Sequence, residues 1–201
     1  MTGKEDVFLE RLKIRIRTSV SINEKDLDVV ASEFTCRKIL KNDFLLKEGG
    51  RCDFWGFIME GLLRVYVHTD TGEEYSNGFV KEDSFITDSV SFFTQSVSLE
   101  NIQALEDTQL MVLNFETLQA LYQRFPAFDK FARILYEQRI VGIKTRIHYR
   151  VQLDAQSRYL HFLKSQPELI KRVPLKYIAS YLNITDSTLS RIRRKTLHLQ
   201  P

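Results

Sequence analysis

After Pro126 the chain runs to Leu153 without another proline and with a single glycine, Gly142. Such a stretch predicts one helix of about 27 residues, about 40 Å long at 1.5 Å per residue. A rod of that length exceeds what a small domain can bury by itself. It must either run as an exposed connector with one face on its own fold, or lie against a second copy of itself. Phe131, Ile134, Val141 and His148 recur near heptad spacing, with Leu135 and Tyr149 alongside and Gln138 and Thr145 in the same strip. The length favours a dimer seam, in which two copies bury each other's apolar strips. In both cases the helix separates the N-terminal part of the chain from the C-terminal part.

The N-terminal part changes period along its length. Ser21 with Glu24 predicts a capping box for a helix over residues 22–34. Short runs rich in β-branched and aromatic residues come next, at residues 54–59, 62–68, 73–80, 98–104 and 109–115. Residues 69–72 (Thr-Asp-Thr-Gly) predict a hairpin loop, and Glu60-Gly61 and Asn77-Gly78 predict further breaks. Many short strands at close spacing imply an antiparallel barrel, roll or sandwich. A short helix over residues 116–124 then ends at Phe125-Pro126, with Pro126 suited to the first turn of the long helix. Beyond Leu153 the pattern is helical again. Residues 155–164 predict one helix, Gln166-Pro167 breaks it, and Val173-Pro174 opens another unit. The organisation is therefore three segments: 1–115, mainly β; 116–153, a short helix and the long one; and 154–201, all α. With 201 residues, the chain is long enough for two small cores.

The most informative stretch is IASYLNITDSTLSRIRRK, residues 178–195. Pro174 starts a helix over residues 175–182, and Asn183-Ile184 turns the chain, asparagine tolerating the left-handed geometry that a tight turn demands. Thr185 caps a second helix over residues 186–195, with Asp186 beside its positive end. Ile178, Leu182, Ile184, Leu189 and Ile192 meet between the two helices, and Ala179 is small where they cross. This is the order of parts of a helix-turn-helix. On the other face Ser187, Ser190, Arg191 and Arg194 fall at i, i+3, i+4 and i+7, one polar strip pointing outward. Arginine reaches guanine O6 and N7 with two hydrogen bonds, and serine serves base edges or phosphates. A plain packing unit with a basic end matched to its own helix dipole explains the bases alone, and not the turn, the small crossing residue and the outward strip together.

The net charge, +3, is too small to point to a partner. From Lys171 to Pro201, however, seven Lys and Arg, among them Lys171, Arg172 and Lys176, face one acid, Asp186. Two distant cysteines, Cys36 and Cys52, make a disulfide framework improbable and suit a reduced, cytoplasmic compartment. No apolar run approaches the roughly 20 residues that span a bilayer. The first twenty residues interleave acids and bases, unlike a secretory signal. The histidines, His68, His148, His161 and His198, are scattered, so neither a metal site nor catalytic chemistry is expected. An enzyme of cupin type would need clustered histidines on its barrel, where His68 stands alone.

The runs at residues 60–66 (EGLLRVY), 150–163 (RVQLDAQSRYLHFL) and 173–193 (VPLKYIASYLNITDSTLSRIR) resemble the Crp/Fnr superfamily of bacterial transcription regulators, the last run most specifically and in the manner of its Bacteroidetes-like branch. The resemblance implies an α+β fold: an N-terminal double-stranded, jelly-roll-like β-roll of cyclic-nucleotide-binding type, a long dimerisation helix and a C-terminal helix-turn-helix domain. It implies a homodimer that reads a two-fold symmetric site on double-stranded DNA and works with RNA polymerase. Carried over by position, Asp186, Ser187, Ser190 and Arg191 match the base-reading positions, the first being acidic here where the family often has a base. Arg193, Arg194 and Lys195 are expected mostly on phosphate, and Lys176 and the cap Thr185 are further expected DNA-binding residues. Relatives often continue into a small β-wing, whereas this chain ends at Pro201, so wing contacts are expected to be missing.

Members that bind cyclic AMP hold its ribose with a Gly-Glu pair and its cyclic phosphate with an Arg-Ser pair. Here Thr87-Asp88 and Ser98-Leu99 stand at those places. From Glu82 to Gln123 there is no Lys or Arg, against seven acids. A buried anion needs a paired cation or converging N–H donors. Arg139, Lys144 or Arg146 on the long helix would have to supply it, and nothing in the sequence requires that. Cyclic AMP is therefore expected not to bind tightly, and no cofactor is expected; the two cysteines likewise do not make the iron–sulfur site of some members. Phe54, Trp55, Phe85, Phe92 and Phe93 are expected in the roll core rather than lining a ligand pocket. The functional expectation is a sequence-specific DNA-binding regulator and not an enzyme. The alternative is a ligand-binding or scaffolding module whose helical end recognises a protein.

Overall fold

The computed structural model describes residues 3–197. His198, and the place where a β-wing would begin, lie outside the described residues. In chain order the elements are α1 (Gly3–Arg17), α2 (Glu24–Ser32), β1 (Thr35–Ile39), β2 (Phe44–Leu46), β3 (Trp55–Glu60), β4 (Leu62–His68), β5 (Glu74–Lys81), β6 (Phe85–Ile86), α3 (Ser89–Thr94), β7 (Asn101–Ala104), β8 (Thr108–Leu113), α4 (Phe115–Arg124), α5 (Pro126–Gln152), α6 (Ala155–Ser165), α7 (Leu169–Arg172), α8 (Leu175–Tyr181) and α9 (Asp186–Leu197). The chain divides into two compact units, Met1–Val65 with Phe79–Gln138, and Tyr66–Gly78 with Arg139–Pro201. The division runs through α5 and assigns the tip of the β4–β5 hairpin to the second unit.

Two four-stranded sheets, ordered β1-β8-β3-β6 and β2-β7-β4-β5, make the jelly-roll-like β-roll. β3 is buried on both faces, and pairs antiparallel with β8 (Phe57 opposite Met111) and with β6 (Phe57 opposite Phe85). Gly61 turns β3 into β4 at φ 99°, where a Cβ would lie 2.6 Å from the Asp107 carbonyl oxygen. Only glycine meets both demands. Phe8, Leu12 and Ile16, spaced i, i+4, i+8, bring α1 onto the roll, and Leu118 and Leu121 of α4 and Phe128 and Phe131 of α5 close the same core. Trp55 stacks on Phe85 at 4.3 Å and meets Phe128 edge-on at 6.1 Å. Of the five aromatic residues expected in this core, Phe54, Trp55 and Phe92 are fully buried and Phe85 packs against it; Phe93 is 37% exposed, resting on Tyr136.

Several local expectations are corrected. The cap of α2 is Asn23, whose side chain accepts from the Asp26 amide, rather than Ser21. Asn77-Gly78 is no break: both residues lie within β5. Residues 98–100 precede β7 instead of opening it. The largest correction concerns α5. Phe131, expected in an intermolecular seam, is fully buried in the roll core, and Ile134 and Leu135 pack against it. The apolar residues that α5 leaves exposed are Ile140, Val141, Ile143, Ile147 and Val151. At 100° per residue, Ile140, Ile143, Ile147 and Val151 share one arc of about 80°.

Candidate nucleic-acid interface

Residues 154–197 build a helix pair from local rules. α8 ends in a Schellman motif. Asn183 takes φ 55°, its amide donates to the Ser180 carbonyl at 3.0 Å, and the Ile184 amide donates to the Ala179 carbonyl at 3.0 Å. Thr185 then caps α9, its hydroxyl accepting from the Thr188 amide at 3.2 Å and sharing a 3.0 Å hydrogen bond with the Ser187 hydroxyl. Ile178, Ala179, Leu182, Leu189 and Ile192 are buried, together with Tyr159 and Phe162 of α6 and Leu169 of α7. Asp154 caps α6 by accepting from the Ser157 amide at 2.7 Å; that hydrogen bond, more than the nearby Arg158, holds its carboxyl below the ordinary aspartate range.

Arg158 was not singled out from the sequence, yet it ties the unit together. Its Nε donates to the Leu182 carbonyl at 3.1 Å, and Nη1 donates to the Leu153 carbonyl at 2.6 Å. One guanidinium thus holds the end of α8 and the end of α5. An arginine at the fourth position of a capped helix, inside an otherwise apolar repeat, was the available signal. Ser180 was missed as well. It donates to the Glu74 carbonyl and accepts from the Ser76 amide, both at 2.9 Å, joining α8 to β5.

Facing outward, Thr185, Asp186, Ser187, Ser190, Arg191, Arg194 and Lys195 are exposed, Arg193 is half-buried, and Lys176 is exposed on α8. The strip expected from the spacing is therefore one surface. Among the described residues, no carboxylate forms an ion pair with Arg191, Arg193, Arg194 or Lys195. Asp186, in the first turn of α9, is the only acid of that helix.

The residues compared with a cyclic-nucleotide site lie in the other unit. Asp88 is buried and caps α3, Oδ1 accepting from the amides of Val90 at 3.0 Å and Ser91 at 3.3 Å. Its Oδ2 accepts from the buried Ser98 hydroxyl at 2.6 Å. Thr87 is also buried and donates to the Phe54 carbonyl at 2.8 Å. Leu99, by contrast, is 72% exposed. Thr87, Asp88 and Ser98 are thus brought into one buried region, and Leu99 is left out of it. Cys52 lies beside Thr87, and burial pushes its thiol up, against the opposing effect of the hydrogen bond it shares with Thr87. The stretch without cations does not exhaust the roll: Arg64, on β4, is completely buried.

Residues 36–125 match the model of the cyclic nucleotide-binding domain. No curated protein matches the chain. Among solved structures, it is similar to FixK2 from Bradyrhizobium japonicum (15% identity over 83% of this chain and 85% of that one, TM-score 0.71). It is similar to a mutant of CooA from Carboxydothermus hydrogenoformans (20%, covering 86% and 79%, TM-score 0.69). A third likeness is to a protein assigned to the crp/fnr family of transcriptional regulators from Eubacterium rectale (17%, covering 87% and 83%, TM-score 0.68). Residues 36–125 are thus similar to a cyclic nucleotide-binding domain, in a chain with the Crp/Fnr fold.

Proposed function

We propose that this protein is a homodimeric, sequence-specific DNA-binding transcription regulator of the Crp/Fnr superfamily, working in the cytoplasm. The observation that carries the reading is the outward strip of α9: hydroxyls and guanidinium groups in register, on a capped helix, with cations that no carboxylate holds. Two copies of α9 enter successive major grooves about 34 Å apart and read a two-fold symmetric site. Arg191 contacts a base edge, Ser187 and Ser190 tune the choice, and Arg193, Arg194, Lys195 and Lys176 engage phosphates. Dimerisation uses α5 through Ile140, Ile143, Ile147 and Val151, the arc of the helix left exposed. RNA polymerase is the further partner that this family reading brings with it. The roll is a regulatory module in this scheme, and no catalytic role is assigned to any residue.

Selection of bound fragments from random duplexes tests the reading, a two-fold symmetric motif being the expected result. On that motif Arg191→Ala weakens binding by about 1–3 kcal/mol and relaxes the choice at one base position. Lys195→Ala weakens all sequences alike and lowers the salt slope by about one. Small and equal effects of both changes on every duplex would favour the protein-recognition alternative.

A further inference from the structure

The second unit holds a cavity of about 280 Å³ that the DNA-binding reading does not use. Its walls come from the C-terminal half of α5, from α6 and from the end of α8. Arg146, Arg150, Arg158 and His161 line it, and no acid does. The three arginines are held in place. Arg158 is fixed on the Leu153 and Leu182 carbonyls; Arg146 lies over the Tyr181 ring at 5.5 Å, and Arg150 over the Tyr75 ring at 5.1 Å. Among the described residues no carboxylate lies within ion-pair distance of any of the three. Three like charges converging on a partly enclosed space repel one another, and an anion relieves that repulsion. The rest of the wall is aromatic: Tyr149 meets His161 edge-on at 4.4 Å, and Phe162 packs against Tyr181 at 5.6 Å. A volume near 300 Å³, cations on one side and rings on the other, suits a small organic anion with a single ring.

We propose that this cavity binds a small aromatic anion, an aryl carboxylate or aryl phosphate, clasped between α5 and the helix-turn-helix by Arg146, Arg150 and Arg158. The ligand adds contacts to the long helix and to α6 and α8 at once. It therefore stiffens the mounting of α9, and, resting on the DNA-binding reading, it changes affinity for the operator.

Isothermal titration with phenyl phosphate, inorganic phosphate and phenol tests the site without DNA. Saturable binding of phenyl phosphate is expected, at least about tenfold tighter than of inorganic phosphate or phenol. Arg146→Gln and Arg150→Gln each raise its Kd at least about tenfold. Arg133→Gln, which breaks only a surface pair with Glu137 on the same helix, leaves it unchanged. A Cβ at Gly142 meets nothing within 4 Å, and the residue borders the cavity. Gly142→Leu therefore fills the space without removing a charge, and abolishes binding while leaving the melting temperature undiminished. Absence of saturable binding by millimolar phenyl phosphate, or equal binding by wild type, Arg150→Gln and Gly142→Leu, overturns the proposal. Inorganic phosphate binding as tightly as phenyl phosphate overturns its aromatic part. If the arginine variants lose DNA affinity and the wild type binds none of the small molecules, DNA phosphate is the occupant and the proposal fails with the DNA-binding reading intact.

Discussion

Replacing Ile147 by glutamate tests the proposed seam between two copies of the long helix. Ile140, Ile143, Ile147 and Val151 are 58%, 43%, 53% and 82% exposed, an unusual concentration of apolar side chains on one solvated arc. Burying a whole isoleucine side chain is worth about 1.5–3 kcal/mol. Since about half of Ile147 is exposed and a two-fold seam contains it twice, its loss alone costs the dimer about 1.5–3 kcal/mol. Glutamate then brings two carboxylates towards each other across the axis, in partly dehydrated surroundings, adding at least about 2 kcal/mol. The sum is about 4 kcal/mol, roughly a thousandfold rise in the dimer dissociation constant. Sedimentation equilibrium at micromolar concentration reads this directly: wild type dimeric, Ile147→Glu monomeric. His148→Glu supplies the contrast, because it changes the strip that heptad spacing alone suggests, about a quarter-turn away. If Ile147→Glu shifts the dissociation constant by less than tenfold, or if His148→Glu dissociates the dimer equally, the exposed arc is not the seam.

Two further substitutions check the local geometry. Asn183→Ala keeps the β-carbon at φ 55° but removes the short polar group that makes this conformation tolerable, and lowers the stability of the helix pair by about 1 kcal/mol in urea unfolding, whereas Asn183→Gly costs nothing measurable. Equal effects would mean that the turn is not held left-handed in solution. Gly61→Ala forces both a positive φ and an overlap with the Asp107 carbonyl, and lowers roll stability by about 2–4 kcal/mol by the same assay, well beyond an exposed glycine such as Gly72.

The sequence was most legible where one residue type answers one backbone demand. Pro126 marks the start of α5, and Gln152 ends it one residue before the expected boundary. Ala179, Asn183 and Thr185 announce a crossing, a left-handed turn and a cap, and each does that work. Legibility fails where burial depends on distant partners. β1 is an edge strand with most of its residues in solvent, and β6 has two residues, so neither carries an alternating pattern. The heptad on α5 misleads for a related reason. Periodicity reports that a strip is apolar, not what covers it, and Phe131 and Ile134 serve the roll of their own chain. Asp88 shows the same limit at the candidate effector site. Its position beside Thr87 is evident in the sequence, but only the fold reveals that its two oxygens are taken up by α3 and by Ser98.

That arrangement argues against cyclic AMP binding at Thr87, Asp88 and Ser98. The single proton of the Ser98 hydroxyl is directed to Asp88 at 2.6 Å, with the Glu100 carbonyl also within 3.0 Å, while the oxygen accepts from the Glu100 amide at 3.0 Å, so no donor is left for a phosphate. A cyclic phosphate seated on Ser98 would lie about 5 Å from the Asp88 carboxylate. At an effective dielectric constant near 20, two like charges at that separation repel by about 3 kcal/mol, more than about a hundredfold in affinity. Millimolar cyclic AMP is therefore expected to leave the melting temperature unchanged. Micromolar binding that Ser98→Ala abolishes would show that the pair opens to admit a phosphate, and would return recognition of the regulating ligand to the roll.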